Sequence, residues 1–476
     1  MMRRLTILLA ATSLGACSMA PKYVRPEVPV PSSWPAGDAY LKQSEAALPT
    51  VTYRDIFRDT RLQSLIEQAL INNRDLRIAA ANIAAARAQY RIQRSALFPA
   101  LAVSGGATHA DNGNSNGERS NFSVDGGITA FELDLFGRIR SLSTAAQNSY
   151  FATEAAARAT RLTLVGDIAS AWLTYGTDKS LQAIAQDTAA SAEKSVTLTR
   201  ARLEGGIAPR TDLRQAETVL ATAQSDLAQQ TTRVAQDINA LQLLVGAPID
   251  PGLLPGSIEE AGKTVAEPPA GIDSGILLRR PDVVQAEYQL RGANAQIGAA
   301  RAALFPRISL TTVLGLASGS LGSLFEGGSF NYSAGANASY TIFNAGAGRA
   351  NVRQTEAQRD AALAGYEKAI QTAFREVSDA LARRGTITEQ MRATEALASA
   401  AADNYRLSDA RYRGGIDTFL QNLDSQRSLY SARRQLVSTQ LVAATNLVTL
   451  YRALGGDSML DATAAGPEPT GSATTD

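Results

Sequence analysis

Two stretches of this sequence share their length, their alanine-rich character and their ending. Residues 75–99 read DLRIAAANIAAARAQYRIQRSALFP, and residues 282–306 read DVVQAEYQLRGANAQIGAARAALFP. They keep a constant offset of 207 positions (282 − 75), and both end in Ala-Leu-Phe-Pro. Chance similarity between alanine-rich helices does not hold one register through such an ending. The chain therefore contains an internal repeat.

The register continues far beyond these two stretches. It pairs Leu135-Phe136 with Ile342-Phe343 and, at an offset of 209, Gly205-Gly206-Ile207 with Gly414-Gly415-Ile416. The sequence therefore predicts two repeats, residues 51–250 and 251–460. A polar tail follows at 461–476, and we expect its end, residues 466–476, to be disordered.

Each half has the same predicted order of elements. After short helices, a helix of about 23 residues ends at Phe-Pro, because proline disfavours helix in the preceding residue. A strand pair follows, at 101–135 in the first half and 308–342 in the second. A helical hairpin comes last, at 138–245 and 349–454, and its first helix of roughly 67 residues would span about 100 Å. The Gly-Gly-Ile string forms the turn, since glycine is the usual helix C-cap.

The predicted strands alternate between apolar and polar side chains. The clearest strand, residues 330–342, shows period two over 13 residues, with aromatic residues at both ends of its apolar face. This pattern is typical of a membrane β-strand. A half-buried soluble strand also alternates, but 13 residues is long for one. The strand expected at 122–135 changes phase near Ala130-Phe131.

Four strands in one chain leave two open sheet edges, which lipid does not tolerate. Closure therefore requires several copies of the chain. Three copies supply 3 × 4 = 12 strands, an even number within the bacterial range, and cyclic symmetry is the ordinary way to arrange them.

The N-terminal sequence predicts export from the cytoplasm. Residues 1–16 place two arginines before an apolar run, as in a signal peptide, and Leu14-Gly15-Ala16-Cys17 resembles the lipobox of bacterial lipoproteins. We expect Cys17, the only cysteine, to become the acylated first residue, although an ordinary signal with an incidental cysteine is the alternative. Ser18 favours the outer membrane. Residues 17–50 are rich in proline and predict an extended, lipidated tether.

Composition excludes several classes of function. One cysteine and one histidine among 476 residues cannot build a Cys/His metal cluster or an internal disulfide, so we expect no metal and no cofactor. The 46 Lys and Arg balance 45 Asp and Glu, which gives no sign of nucleic-acid binding. His109 stands alone beside a Gly/Asn-rich loop, and no nucleophile motif or phosphate loop is present. We therefore do not expect an enzyme.

As an ordered set, the motifs of this chain resemble the outer membrane factors of tripartite efflux and type I secretion systems, the TolC family. They are most similar to its lipoprotein branch, which contains OprM and CusC. The strings that carry the resemblance are Leu14-Gly15-Ala16-Cys17, Tyr23 with Pro26, Ser95-Ala96-Leu97-Phe98-Pro99, Glu132-Leu133-Asp134-Leu135-Phe136-Gly137-Arg138, Leu278-Arg279-Arg280-Pro281-Asp282, Ala303-Leu304-Phe305-Pro306, Tyr412-Arg413-Gly414-Gly415-Ile416 and Leu423-Asp424-Ser425-Gln426-Arg427.

The resemblance implies a fold and a function. The fold is an α+β membrane protein, a homotrimer whose 12-stranded outer-membrane β-barrel is continued by a long periplasmic α-helical barrel. An equatorial region would form from residues near 50–74, 250–281 and the C-terminal tail. The function is a passive efflux duct for small molecules such as antibiotics, opened at its periplasmic tip by an adaptor and an inner-membrane pump of RND type.

The resemblance also implies the site residues. The periplasmic gate would use Asp212, Asp417, Phe419, Tyr412 and Asp424, and the adaptor would dock on the tips Gly205, Gly206, Ile207, Gly414, Gly415 and Ile416. Where TolC has a bridging arginine, this sequence has Asp417, and a ring of three such carboxylates would favour cations. Alternatively, these aspartates are solvated turn or helix N-terminal residues. Phe419 could form a constriction or simply pack.

Two other functions stay open from the sequence alone. A periplasmic adaptor lipoprotein also combines an acyl anchor with a helical hairpin, and a structural coiled-coil lipoprotein needs no channel. An adaptor, however, carries one hairpin flanked by lipoyl-type and β-barrel modules. This chain has two hairpins and four long amphipathic strands.

Overall fold

The computed structural model describes residues 18–31, 33–34, 52–110, 119–267, 274–460, 462–463 and 466–467. The first half contains α1 (Tyr53–Ile56), α2 (Thr60–Asn72), α3 (Arg74–Ser95), β1 (Leu101–Ala110), β2 (Arg119–Leu133), α4 (Arg138–Glu204) and α5 (Arg210–Val245). The second half contains α6 (Ile258–Gly262), α7 (Pro281–Ala302), β3 (Arg307–Ser318), β4 (Phe330–Ser339), α8 (Ala347–Arg413) and α9 (Phe419–Ala453), followed by β5 (Ala462–Thr463) and β6 (Gly466–Pro467). The predicted signal segment and most of the loop predicted after β1 lie outside the described residues.

The two hairpins confirm the repeat at the level of single hydrogen bonds. Helices α4 and α8 each run for 67 residues and end at a pair of glycines. Gly206 and Gly415 take the left-handed conformation, with φ of +72° and +74°. In both turns the isoleucine N–H donates to a carbonyl of the helix's last turn at 2.9 Å, Ile207 to Arg202 and Ile416 to Arg411. This bond pattern satisfies carbonyls that the helix end leaves unpaired, and its left-handed position suits glycine.

No described helix contains an 18-residue stretch that is apolar enough to cross a membrane.

The four long strands form one antiparallel sheet in the order β1-β2-β3-β4. Each half contributes a hairpin, and β2 pairs with β3 to join the halves. Cross-strand partners keep the predicted alternation. Leu314 and Leu316 lie opposite Tyr332 and Phe330 on one face, whereas Ser309 lies opposite Asn337 on the other. The sheet therefore has one apolar and one polar face, as the sequence predicts.

The structure corrects the ends of two strands and confirms one irregularity. Strand β2 covers Arg119–Leu133 instead of the predicted 122–135. The strand predicted at 330–342 stops at Ser339, the partner of Arg307. Strand β3 can begin only after Pro306, which has no N–H for the ladder, so β4 has no partner beyond Ser339. The predicted phase change in β2 is a bulge between Ile128 and Phe131, where Ala130 has a φ of +56°.

A hydrophobic core surrounds the middle of the helices. Short helices α1, α2 and α6 pack there against α4 and the ends of α5 and α9. Trp172 is fully buried, and its indole N–H donates to the Leu253 carbonyl at 3.0 Å. Two of the three segments that the resemblance assigns to an equatorial region, residues near 50–74 and 250–281, contribute to this core.

The repeat preserves a contact whose residues differ between the halves. Asn73 donates through Nδ2 to the Leu244 carbonyl at 2.8 Å, and Arg280, 207 positions later, donates through Nη1 to the Ala453 carbonyl at 2.7 Å. Each contact ties the start of α3 or α7 to the end of the returning helix. Arg280 is 6% exposed and also pairs with the Glu376 carboxylate at 2.8 Å.

The described part of the N-terminal segment, residues 18–31, has no helix or strand and lies along α7, whereas residues 17, 32 and 35–50 of the predicted tether lie outside the described residues. Ala20 crosses the helix at Gly298, where a Cβ would lie 2.6 Å from the Ala20 Cβ. Fourteen residues further along the chain (34 − 20), the Trp34 ring stacks on Phe374 of α8, with 5.0 Å between ring centroids. Glycine at position 298 is therefore what allows the tether to lie on the helix.

A buried carboxylate holds this tether in place. Glu287 of α7 is fully buried, and its oxygens accept from the Tyr23 hydroxyl at 3.0 Å and from Arg25 Nη2 at 2.6 Å. Arg291 stacks on the Tyr23 ring, 4.7 Å from its centroid. Burial raises the pKa of the Tyr23 hydroxyl, and the Glu287 charge raises it further. A buried charge that loses its partner destabilises a protein strongly, so α7 and the tether depend on each other.

The prediction that residues 466–476 are disordered is wrong at its first two positions. Gly466–Pro467 pair with Ala462–Thr463, and the Tyr288 hydroxyl donates to the Pro467 carbonyl at 3.3 Å. This bond fixes β6 on α7. Residues 468–476 lie outside the described chain.

Gly127 gives a first test of the sheet. We expect Gly127→Ala to reduce assembly severely, because its Cβ would meet the Thr312 carbonyl oxygen and lie 2.8 Å from the Val313 Cα. Gly335→Ala, in β4, is the matched control, since its Cβ would meet nothing within 4 Å. The measurement is the yield of folded oligomer in the outer membrane fraction. Equal yields of the two variants would contradict the observed pairing of β2 with β3.

Candidate gate at the hairpin tips

The two hairpin turns present apolar side chains at the far end of the helices. Ile207 is 78% exposed and Ile416 is 69% exposed, next to the exposed glycine pairs. All six residues predicted as docking tips therefore lie at the surface of the chain. Exposed apolar side chains at a narrow tip are typical of a contact surface for another protein.

A small core joins the two tips behind these exposed turns. Its buried members are Val196, Leu213 and Ala216 from the first hairpin and Tyr412, Phe419 and Leu423 from the second. Phe419 is 4% exposed and packs inside the chain, which favours the packing alternative over a constriction. Its neighbour Leu420 is instead exposed, at 54%, and lies near the exposed Ile416. The sequence analysis did not single out Leu420.

Tyr412 contributes its ring to this core. It is 4% exposed, and its centroid lies 5.5 Å from that of Phe419. Its hydroxyl has no hydrogen-bond partner within the described part of the chain. The hydrogen-bonding role that the resemblance implies for Tyr412 is therefore not formed within the described part of one copy.

Arg202 joins the tips by polar contacts, and sequence reasoning missed it. Its guanidinium carbon lies 4.4 Å from the centroid of the Tyr412 ring. Nη2 donates to the carbonyls of Tyr412 and Arg413, at 3.1 and 3.2 Å. These carbonyls belong to the last turn of α8, where a helix carries unpaired acceptors and partial negative charge. The signal available in the sequence was the repeat itself, which aligns Arg202 with Arg411.

Asp417 lies in the second turn and forms an ion pair with Arg411. Arg411 donates to it twice, Nε to Oδ2 at 2.8 Å and Nη2 to Oδ1 at 2.9 Å. These hydrogen bonds hold the pKa of the Asp417 carboxyl below its usual range. Each copy would therefore contribute to the predicted ring a carboxylate that is already paired with an arginine.

The other two predicted gate carboxylates differ in surroundings. Asp212 lies in the first turn of α5, and burial raises the pKa of its carboxyl. It forms no ion pair with any described residue. Asp424 is exposed and lies 3.9 Å from Arg427 Nη1. The structure therefore brings Asp417, Tyr412 and Phe419 together at one turn, with Asp424 on the exposed side of α9.

A further carboxyl pair lies inside the first hairpin and was not predicted. Burial raises the pKa of Asp237 on α5 to about 7, and the neighbouring charge of Asp178 on α4 adds to this effect. Burial also raises the pKa of Asp178. The pair therefore retains a proton at higher pH than isolated aspartates would.

The described residues contain no group of three or more His, Cys, Asp or Glu placed to hold a metal ion. His109 is exposed at the end of β1, with Nδ1 3.1 Å from the Ser120 hydroxyl.

Comparison with known proteins identifies the family. The family model described as "Outer membrane efflux protein" matches residues 65–247 and 274–456, one match in each half. The chain is 44% identical over 461 residues to the probable efflux pump outer membrane protein TtgC of Pseudomonas putida, covering 95% of both chains. It is 40% identical over 455 residues to the outer membrane protein OprJ of Pseudomonas aeruginosa, covering 94% of this chain and 95% of OprJ.

Solved structures agree with these relatives. The MtrE outer membrane channel of Neisseria gonorrhoeae, solved in its open state, superposes with a TM-score of 0.83 at 34% identity, over 93% of this chain and 98% of that one. A structure of CusC superposes equally well at 35% identity, over 92% and 100%. The chain therefore belongs to the outer membrane efflux protein family, and its place is the bacterial outer membrane.

Proposed function

We propose that three copies of this chain form one passive exit duct for small molecules across the outer membrane and the periplasm. The two-faced sheet with open edges carries this proposal. Along β1 and β4 every residue is exposed, and Leu101 and Tyr332 on the apolar face are 79% and 74% exposed. Three copies would pair each β4 with a neighbouring β1 and close a 12-stranded sheet with its apolar face towards lipid.

The duct has partners at its periplasmic end. We place an adaptor on the tips that contain Ile207 and Ile416, and an inner-membrane pump of RND type behind it. The exposed isoleucines supply the apolar contact, and the pump supplies the energy. Relatives named as antibiotic and toluene efflux pump outer membrane proteins support small apolar or amphipathic cargo. We propose no catalytic role for the chain.

The gate of this duct lies at the second hairpin turn. Asp417 and Asp424 would face the aperture, with Asp212 from the first hairpin contributing a third carboxylate per copy. Tyr412 and Phe419 pack behind them and connect the aperture to the hairpin core. Adaptor binding would move these helices apart and open the aperture.

Cys17 is the proposed lipid anchor. It lies outside the described residues, but Ser18 begins the segment that the Glu287 contacts hold on α7. Two or three acyl chains give stable membrane attachment. An anchor at residue 17 would therefore lie within a few residues of Gly298, near the end of α7 that leads into β3.

The duct itself is tested on the purified protein. We expect a trimer that resists dissociation in unheated detergent gels and that conducts ions in planar bilayers, because only closed copies satisfy the strand edges. A monomer without conductance would favour the structural coiled-coil alternative. A non-conducting protein that binds the pump directly would favour an adaptor.

Asp417 and Arg411 test the gate. We expect Asp417→Ala to raise conductance and to weaken block by divalent cations. The control, Asp403→Ala, removes an exposed carboxylate that is paired with Arg406 within α8, before the turn, and should change neither. Unchanged conductance and cation block in Asp417→Ala would refute a gate role for this residue.

The same pair predicts a pH dependence. Because Arg411 lowers the pKa of Asp417, the carboxylate stays charged above that lowered value and loses its charge only as the pH falls through it. In Arg411→Ala the pKa returns towards its ordinary range. We therefore expect cation block to disappear at a higher pH than in the parent protein, measured as a bilayer titration. An unchanged pH midpoint of cation block in Arg411→Ala would show that the charge of Asp417 does not cause the block.

Cys17→Ser tests the anchor. We expect it to abolish incorporation of labelled palmitate, since the thiol sulfur is the atom that receives the diacylglyceryl group before the new amino group is acylated, while Ser18→Ala keeps the label. Palmitate labelling that persists in Cys17→Ser would place the modification elsewhere.

A further inference from the structure

The two hairpin turns contain the same arginine but not the same partner for it. Arg202 and Arg411 occupy equivalent repeat positions (411 − 202 = 209), each in the last turn of a long helix. In the second turn Asp417 binds its arginine. The equivalent position in the first turn (417 − 209 = 208) is Ala208.

This difference decides where each arginine side chain goes. Arg411 forms two hydrogen bonds with a carboxylate of its own turn. Arg202 has no carboxylate at the equivalent position 208, and it extends to the other hairpin, where it donates to the Tyr412 and Arg413 carbonyls and covers the Tyr412 ring. A carboxylate is the stronger acceptor, because a charge-assisted, bidentate pair outweighs bonds to neutral carbonyls.

We propose that Arg202 is the latch that holds the two hairpin tips of one protomer together in the closed gate, and that alanine at position 208 keeps this latch available. The proposal rests on the proposed function, since a latch controls transport only if the tips form the gate. Its position fits the task. It contacts the last turn of α8, directly before the turn that contains Asp417 and leads into α9.

The latch is also placed to be released without unfolding. Its contacts lie between the hairpins, while each turn keeps its own backbone hydrogen bonds. Losing the Arg202 contacts would weaken the link between the tips and leave both Gly-Gly turns intact. An adaptor that separates the tips would have to break these contacts and the small core beside them.

Ala208→Asp tests the latch by supplying the partner that the first turn lacks. We expect the new carboxylate to capture Arg202, as Asp417 captures Arg411, and so to detach it from α8. Ala208→Asn is the matched control, since it has the same shape without the charge. Arg202→Gln removes the latch directly and serves if Ala208→Asp fails to fold. Adding Arg202→Gln to Ala208→Asp should have no further effect.

Two measurements separate the latch from the gate. The first is the distance between spin labels at Ile207→Cys and Ile416→Cys of one protomer, in a Cys17→Ser background, with labelled chains diluted among unlabelled copies. We expect Ala208→Asp and Arg202→Gln to lengthen and broaden it, and Ala208→Asn to leave it unchanged. The second is bilayer conductance, for which we expect a rise of roughly five-fold in the open fraction, the effect of losing about one net hydrogen bond.

The outcomes are distinct. An unchanged label distance in both Ala208→Asp and Arg202→Gln would overturn the latch. A longer distance with unchanged conductance would confirm the latch as a link between the tips, but it would show that the tips do not form the gate. An equal effect of Ala208→Asn would show that the size of the side chain, and not capture of Arg202, separates the tips, which would also overturn the proposal.

Discussion

The open edges of a four-stranded sheet are the constraint on which the rest of this structure depends. A strand in lipid must pair all its N–H and C=O groups, and strands β1 and β4 have no outer partner within the described chain. One copy therefore cannot be a finished membrane protein.

The internal repeat accounts for most of the architecture, and the positions at which the two halves differ can be compared directly. Asn73 and Arg280 make the same contact with different chemistry, so the contact matters more than the side chain that provides it. At the tips the reverse holds. Arg202 and Arg411 are the same residue in equivalent places, yet Arg411 pairs with Asp417 of its own turn whereas Arg202 donates to carbonyls of the other hairpin. At the tips, therefore, the residue is kept while its partner differs.

Much of the fold could be predicted because its signals are local. Helix ends, the Gly-Gly turns and the bulge near Ala130 each depend on the conformational limits of a few adjacent residues. The end of β4 was mispredicted for the opposite reason. Its sequence alternates as far as Ile342, but the ladder stops at Ser339 because Pro306, directly before β3, cannot donate. The site was predicted in part. The sequence identified the turns, but not Arg202.

The sequence by itself determined that the chain is a repeat with two hairpins, alternating strands and an export signal. Hydrophobic periodicity and the Gly and Pro residues that end helices are properties of neighbouring residues. Only the tertiary structure decided which charges meet. Glu287 is paired with Arg25, 262 positions away, and Arg202 reaches α8 across more than 200 residues. Such pairs depend on how elements pack, and no local pattern records them. Each contact joins elements that lie far apart in the sequence.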